Sequence, residues 1–367
     1  MVNRVGVLTG GGDAPGLNGV IRGVAKAAEN IYHAQVFGFM DGFHGLVENK
    51  YTVLDQVNTS GILHRGGTIL GASNRDNPFR YPMGKDEEGN IIWGDVSDQA
   101  VTNLTRLGIQ ALIIIGGDGS LHMAKQFSEK GVKVVGVPKT IDNDLDATDQ
   151  TFGFDTAINT VMDALDRLHT TAEAHHRIMV VEVMGRYAGW IALHSGIAGG
   201  ADVILLPEIP YDVDIVAKKI KQRSAAGKGF SLVCVAEGAT EKEGEMVVSS
   251  VVADSFDPIR LGGIGQVVAN KLAQATGLES RATILGHLQR GGSPTAMDRI
   301  LTTRLGVKAM ELAVNGPYDH MVSLQGTEIV AVPIEAAIGS LKNVKSDSEI
   351  VKAAKAVGIS FGDTFDD

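Results

Sequence analysis

A single cysteine, Cys234, in a chain of 367 residues excludes an internal disulfide framework. It lies in the apolar run Ser231-Leu232-Val233-Cys234-Val235-Ala236 and reads as a small core side chain. Long apolar runs are missing too. None approaches the ~18 residues of a membrane span, and the N-terminus enters strand-like Val5-Gly6-Val7-Leu8 without a signal-length apolar segment. A cytoplasmic protein with no membrane partner is expected. Positive charge is in deficit: 33 lysines and arginines face 43 acidic residues, net −10, which argues against nucleic acid as the main partner. A small anion is still admissible where cations gather locally. The histidines form no H-E-x-x-H or cysteine–histidine metal set, and His175 and His176 read as surface or structural residues.

Glycine is the one residue type in excess, at 46 of 367 against a usual ~7%. It shows no collagen-like period, so it belongs to turns and close backbone approaches. With 44% hydrophobic residues the chain has material for two domains, or one large one.

The stretch that organises the rest is Ile113-Ile114-Ile115-Gly116-Gly117-Asp118-Gly119-Ser120, with a helical pattern from Leu121 to Glu129. An apolar run without a polar face predicts a buried parallel strand. Its glycine turn delivers free backbone N–H groups at a helix N-terminus, which favours an anion. Asp118 in that turn can instead hold a cation seated on the anion's oxygens.

The arrangement recurs along the chain. Val5–Leu8 runs into Gly10-Gly11-Gly12-Asp13-Ala14-Pro15-Gly16 and a helix from about Gly19 to Glu29. Neither a dinucleotide fingerprint nor a P-loop is complete here, so a phosphate cradle and a ligand-free tight turn both stay open. Arg65–Arg75 is a glycine-rich loop with arginines, Met83–Gly94 reads as an exposed hairpin or excursion, and Val96–Leu107 as a helix. Val134–Val137 is a strand ending in Pro138-Lys139-Thr140-Ile141-Asp142-Asn143-Asp144. That loop is either an Asx-rich turn or a phosphotransfer site with two carboxylates. A helix from Phe154 through Leu168 follows, then strands Ile178–Val183, Val203–Leu206, Ser231–Ala236 and one near Ile284, with an acidic tail from Gly362 expected to fray. Alternating strands and helices imply parallel sheets, with ligands outside the strands' carboxyl ends.

Together these motifs resemble the 6-phosphofructokinase family over nearly the whole chain: Gly10–Gly16, Gly116–Ser120, Thr140–Asp144, Met184-Gly185-Arg186, Glu237-Gly238 and His287-Leu288-Gln289-Arg290-Gly291-Gly292. A lone Gly-Gly-Asp-Gly also occurs in NAD and lipid kinases; the ordered set is specific. The resemblance implies two three-layer α/β/α domains with mostly parallel sheets and an active site in the cleft between them. The donor domain would be 1–153 plus 289–340, and the acceptor domain 154–288 plus 341–367. The implied reaction is phosphoryl transfer to the 1-hydroxyl of fructose 6-phosphate with Mg²⁺. By motif, Asp142 would be the general base with Asp144 close by, and Thr140 would hold the transferring group. Asp118 would carry Mg²⁺, with Gly11, Arg75, Gly116, Gly117, Gly119 and Ser120 around the donor. Met184, Gly185, Arg186, Glu237, His287 and Arg290 would hold the sugar phosphate, with Arg177 and Arg281 reaching in from a neighbouring subunit of a homodimer or homotetramer. A catalytically silent regulatory relative is disfavoured, because a silent copy would be free to lose these carboxylates and arginines.

The donor signal is mixed. In the resembling family, pyrophosphate users typically carry Asp where this chain has Gly119, and Lys at position 139. Here Gly119 stands with Lys139, the pattern of the mixed-substrate branch. Glycine leaves the α-phosphate channel of ATP open, and Lys139 does not exclude ATP, so ATP is favoured over pyrophosphate.

Overall fold

A computed structural model describes residues 2–73, 75–251 and 259–365. Fifteen strands run in chain order among these residues. They are β1 (Arg4–Thr9), β2 (Gln35–Phe39), β3 (Tyr51–Leu54), β4 (Tyr81–Lys85), β5 (Ile91–Gly94), β6 (Ala111–Gly116), β7 (Val134–Pro138) and β8 (Ile178–Val183). β9 (Val203–Leu205), β10 (Ser231–Ala236), β11 (Val248–Val251), β12 (Ile259–Leu261), β13 (Ser280–Ile284), β14 (His320–Gln325) and β15 (Glu328–Pro333) complete the set. The larger sheet has the order β15-β14-β7-β6-β1-β2-β3. Its centre is parallel, while β3 and β15 pair antiparallel at the two edges. The second sheet, β13-β8-β10-β9, is wholly parallel.

The unbroken apolar runs are explained by burial on both faces. In β6, Leu112 and Ile114 join one core with the helix Asp118–Glu129, while Ile113 and Ile115 join another with the helices Leu17–Ala27 and Ala296–Asn315. In the smaller sheet, Val181, Val183, Ile204 and Cys234 face the helices Phe154–His175 and Trp190–Ala198. Val180, Val203, Val233 and Val235 face Val213–Ala225 and Ile264–Thr276. This is three-layer α/β/α packing about each sheet, as expected.

Two close approaches set how these layers meet. A Cβ on Gly306 would stand 2.5 Å from the Val20 carbonyl oxygen, so glycine lets helix Ala296–Asn315 lie directly on Leu17–Ala27. At the start of the same long helix, the buried carboxylate of Asp298 accepts from the N–H groups of Gly153 and Thr156 and from the Thr156 hydroxyl at 2.9, 2.9 and 2.5 Å. Asp298 thereby caps the Phe154–His175 helix from another element.

The structure departs from the sequence reading in three places. The helix begun at Phe154 continues to His175 rather than ending at Leu168. The edge strands β3 and β15 and the joining strand β14 were not apparent in the apolar pattern. The tail does not fray as far as residue 365: Phe361 is fully buried, Asp363 pairs with Lys355 at 2.5 Å, and the Lys218 ammonium lies 3.9 Å from the Phe365 ring centre. Asp366 and Asp367 lie outside the described residues. The expected excursion is the antiparallel hairpin β4–β5.

Candidate active site

A cleft of about 940 Å³ opens at the carboxyl ends of β1, β6, β7, β8 and β10. Its walls bring together loops more than 200 residues apart, from Gly11 to Arg290. Of the residues singled out from sequence, Gly11, Arg75, Gly117, Asp118, Gly119, Ser120, Lys139, Thr140, Asp142, Asp144, Met184, Arg186, Glu237, His287 and Arg290 line it.

The glycine turns lie close together because small residues meet there. A Cβ on Gly10 would come within 2.5 Å of Ser120 Oγ, and one on Gly116 within 2.2 Å of Ser120 Cβ. Gly11, at φ +76°, lies over the Lys139 ammonium, its Cβ position 3.1 Å from Nζ, and Gly12 stands at the same distance from Arg290 Nη1. Arg290 Nη1 also donates to the Asp13 carbonyl at 3.1 Å. Two cationic heads therefore sit against the first glycine loop, a suitable seat for phosphate oxygens. Burial, and then Arg290, push the Lys139 ammonium down to about 8.

Asp118 occupies the first turn of its helix, half-buried, with His122 Nδ1 3.3 Å from its carboxylate. Burial raises its pKa, partly offset by His122. Opposite stands the β7 loop. Its shape is fixed by the Thr151 hydroxyl donating to Thr140 O at 2.7 Å and by the Thr151 N–H donating to Asn143 Oδ1 at 3.1 Å. Asn143 itself sits at φ +53°. Asp142 is only 5% exposed, and its Oδ1 is buried with no hydrogen-bond partner. Burial and the neighbouring Asp142 charge push Asp144 up to about 7.

The third wall follows β8 and β10. Gly185 at φ +136° and Arg186 at φ +50° form a reversed turn. The Arg186 N–H donates to Glu237 Oε1 at 3.1 Å, and the Met184 N–H to Gln289 Oε1 at 3.2 Å. Burial and the Asp142 charge push Glu237 up to about 7.

Four of the singled-out residues do not line the cleft. Gly116 and Gly185 shape it from behind; a Cβ on Gly185 would meet the Ala188 carbonyl at 2.5 Å. Arg177 and Arg281 stand outside it, both paired with Glu279, the first at 2.7 Å. The sequence reading assigned no role to Asp13, Asp76, Arg80 or Trp93, which also line the cleft. The Arg80 guanidinium stacks 4.4 Å from the centre of the Trp93 ring on the β4–β5 hairpin. Among the described residues no helix is long and apolar enough to cross a membrane, and no three metal-ligating side chains cluster.

Fold and cleft together define an α/β phosphotransfer enzyme. The family profile described as Phosphofructokinase matches residues 4–313, and the chain belongs to that family. It is 56% identical to ATP-dependent 6-phosphofructokinase 2 of Clostridium perfringens over 99% of both chains. It is also 48% identical to a pyrophosphate–fructose 6-phosphate 1-phosphotransferase of Streptomyces coelicolor, over 98% of this chain and 100% of that one. Among solved structures, Pichia pastoris phosphofructokinase in the T-state superposes with a TM-score of 0.78 at 31% identity. That match covers 98% of this chain but only 37% of the longer yeast chain.

Proposed function

We propose that the protein is an ATP-dependent 6-phosphofructokinase, moving the terminal phosphoryl group of ATP to the 1-hydroxyl of fructose 6-phosphate. The products are fructose 1,6-bisphosphate and ADP. The observation that carries this reading is Asp142, a buried carboxylate with one unpartnered oxygen, lying between the glycine turns and the Arg186–Glu237 wall. An orphaned buried acceptor is costly unless a ligand satisfies it, and a substrate hydroxyl supplies the missing donor.

In this scheme Asp142 accepts the proton of the 1-hydroxyl and aims its oxygen in line with phosphorus. Asp144 lies beside it, and Thr140 holds the transferring group. Gly11, Gly116, Gly117, Gly119, Ser120 and Arg75 surround the donor phosphates, with Lys139 beneath them. Met184, Gly185, Arg186 and Glu237 seat the sugar, while His287 and Arg290 meet its 6-phosphate. Asp118 fits a Mg²⁺ ion, which takes one or two carboxylates and completes its shell with phosphate oxygens and water. When bound, the ion neutralises charge on the donor phosphates.

ATP is the preferred donor because Gly119 adds no carboxylate beside the α-phosphate and most of the high-identity relatives carry the ATP-dependent name. The pyrophosphate relative of similar identity keeps that donor as the second reading. The donor half is assigned to 1–153 plus 289–340, and the acceptor half to 154–288 plus 341–367. Arg177 and Arg281 complete the 6-phosphate site of a second copy, in a homodimer or homotetramer, and the enzyme works in the cytoplasm. Initial rates with fructose 6-phosphate and Mg²⁺, comparing ATP with pyrophosphate in one preparation, test the reading. A rate with ATP is expected; a rate with pyrophosphate alone reverses the donor, and silence with both removes the activity.

A further inference from the structure

The carboxylates Asp142 and Asp144 sit on an irregular loop, and Arg186 on a reversed turn, so neither is held by a regular element. Both are instead tied to one crossing segment, residues 340–344. We propose that Lys342 is a positioning residue that braces the Asp142–Asp144 loop against the Arg186 turn; the inference rests on the phosphoryl-transfer reading above.

The contacts of Lys342 run in both directions. Its backbone N–H donates to the Asp144 carbonyl at 2.9 Å. Its ammonium donates to the carbonyls of Thr148 and Asp149 at 2.9 and 2.6 Å, farther along the same loop. On the other side its carbonyl accepts the indole N–H of Trp190 at 2.6 Å, and the ammonium lies 5.6 Å from that ring's centre. Trp190 begins the helix that leaves the Arg186 turn. Flanking residues repeat the pattern. Ser340 Oγ donates to Asp146 at 2.9 Å, Leu341 bridges Leu145, and the Val344 N–H donates to Glu208 Oε1 at 2.9 Å. That same oxygen accepts the Gly189 N–H at 2.9 Å.

The brace therefore joins the loop that activates the hydroxyl to the turn that seats the sugar. Transfer needs the reacting atoms within a near-attack distance, and a misplacement of about 1 Å can cost about 100-fold in rate. Removing the ammonium releases the carbonyls of Thr148 and Asp149 on the loop side, while Glu237 still holds the Arg186 turn that seats the sugar. The loss is thus felt in kcat rather than KM.

The test is Lys342→Met, assayed at saturating ATP and fructose 6-phosphate alongside tryptophan emission, to which only Trp93 and Trp190 contribute. The expected result is a kcat lower by about 30-fold, both KM values within about threefold, and a shifted emission maximum. Lys342→Arg, which keeps a cation able to reach both carbonyls, should recover most of the turnover. A purely structural lysine would lower Tm and the yield of folded enzyme but leave kcat per folded site unchanged; that outcome overturns the proposal. Should Lys342→Met fail to fold, Trp190→Phe keeps an aromatic side chain while deleting the N–H donor together with part of the indole's bulk. Its kcat should drop, and parental turnover in it overturns the brace. A parent enzyme silent with every donor would instead overturn the proposed function, while unchanged emission in Lys342→Met would still refute the brace.

Discussion

The carboxylate of Glu237 accepts the backbone N–H of Arg186 at 3.1 Å and so holds a residue at φ +50° that a free chain rarely adopts. The next residue leaves no slack. A Cβ on Gly238 would stand 1.9 Å from the Arg186 carbonyl oxygen. Gly238→Ala should therefore push the sugar-binding turn outward and raise the KM for fructose 6-phosphate by roughly tenfold or more. Steady-state kinetics at fixed saturating ATP check this, with circular dichroism to confirm that the variant is folded.

Asp142→Ser removes the carboxylate whose Oδ1 is buried without a partner. Turnover should fall by about 1000-fold, with the KM for fructose 6-phosphate changed little, because general-base assistance acts only in the transition state. Near-parental turnover would remove Asp142 as the base.

Gly119→Asp places a second carboxylate next to Asp118 in the first turn of the helix. Repulsion of the α-phosphate should cut kcat/KM for ATP by about 100-fold. Pyrophosphate, which has no α-phosphate or nucleoside to place there, should lose much less. Equal losses for both donors would show that position 119 does not choose between them.

Burial raises Asp144 and Glu237 to about 7, so the folded protein holds protons there that the unfolded chain has released. Between about pH 4 and 7 the native state binds more protons, and this contribution to stability is lost as pH rises through about 7. Lys139, pushed down to about 8, has the opposite sign, but its stabilising share appears only above that value. The ligand-free protein should thus melt at a higher temperature near pH 6 than near pH 8. The double variant Asp144→Asn, Glu237→Gln should flatten that difference in scanning calorimetry.

Asp298→Ala strips three hydrogen bonds from a fully buried carboxylate and uncaps the Phe154–His175 helix. A loss of about 3 kcal/mol is expected in denaturant titration, since the freed N–H groups have no water to turn to.

Much of the cleft could be read in advance because its loops follow strands buried on both faces. Ile113–Ile115 and Val134–Val137 announce themselves as unbroken apolar runs, and the glycines or carboxylates after them mark the sheet's carboxyl edge. The edge strands were harder. β3 and β15 are only partly buried, so their alternation is diluted by exposed residues. The brace at 340–344 gave no signal either, because its contacts are mostly backbone carbonyls and N–H groups, which every sequence possesses. Arg80 and Trp93 became part of the cleft only when a hairpin folded back over it, a long-range event that local composition does not encode.

Cys234 is wholly enclosed, and burial pushes its thiol up to about 12. At neutral pH it holds almost no thiolate and offers no access, so it should stay inert to maleimides and iodoacetamide. Any cysteine introduced on the surface would then be the sole reactive thiol in the molecule. A single dye placed on the β4–β5 hairpin could then report on the cleft without first removing a native residue.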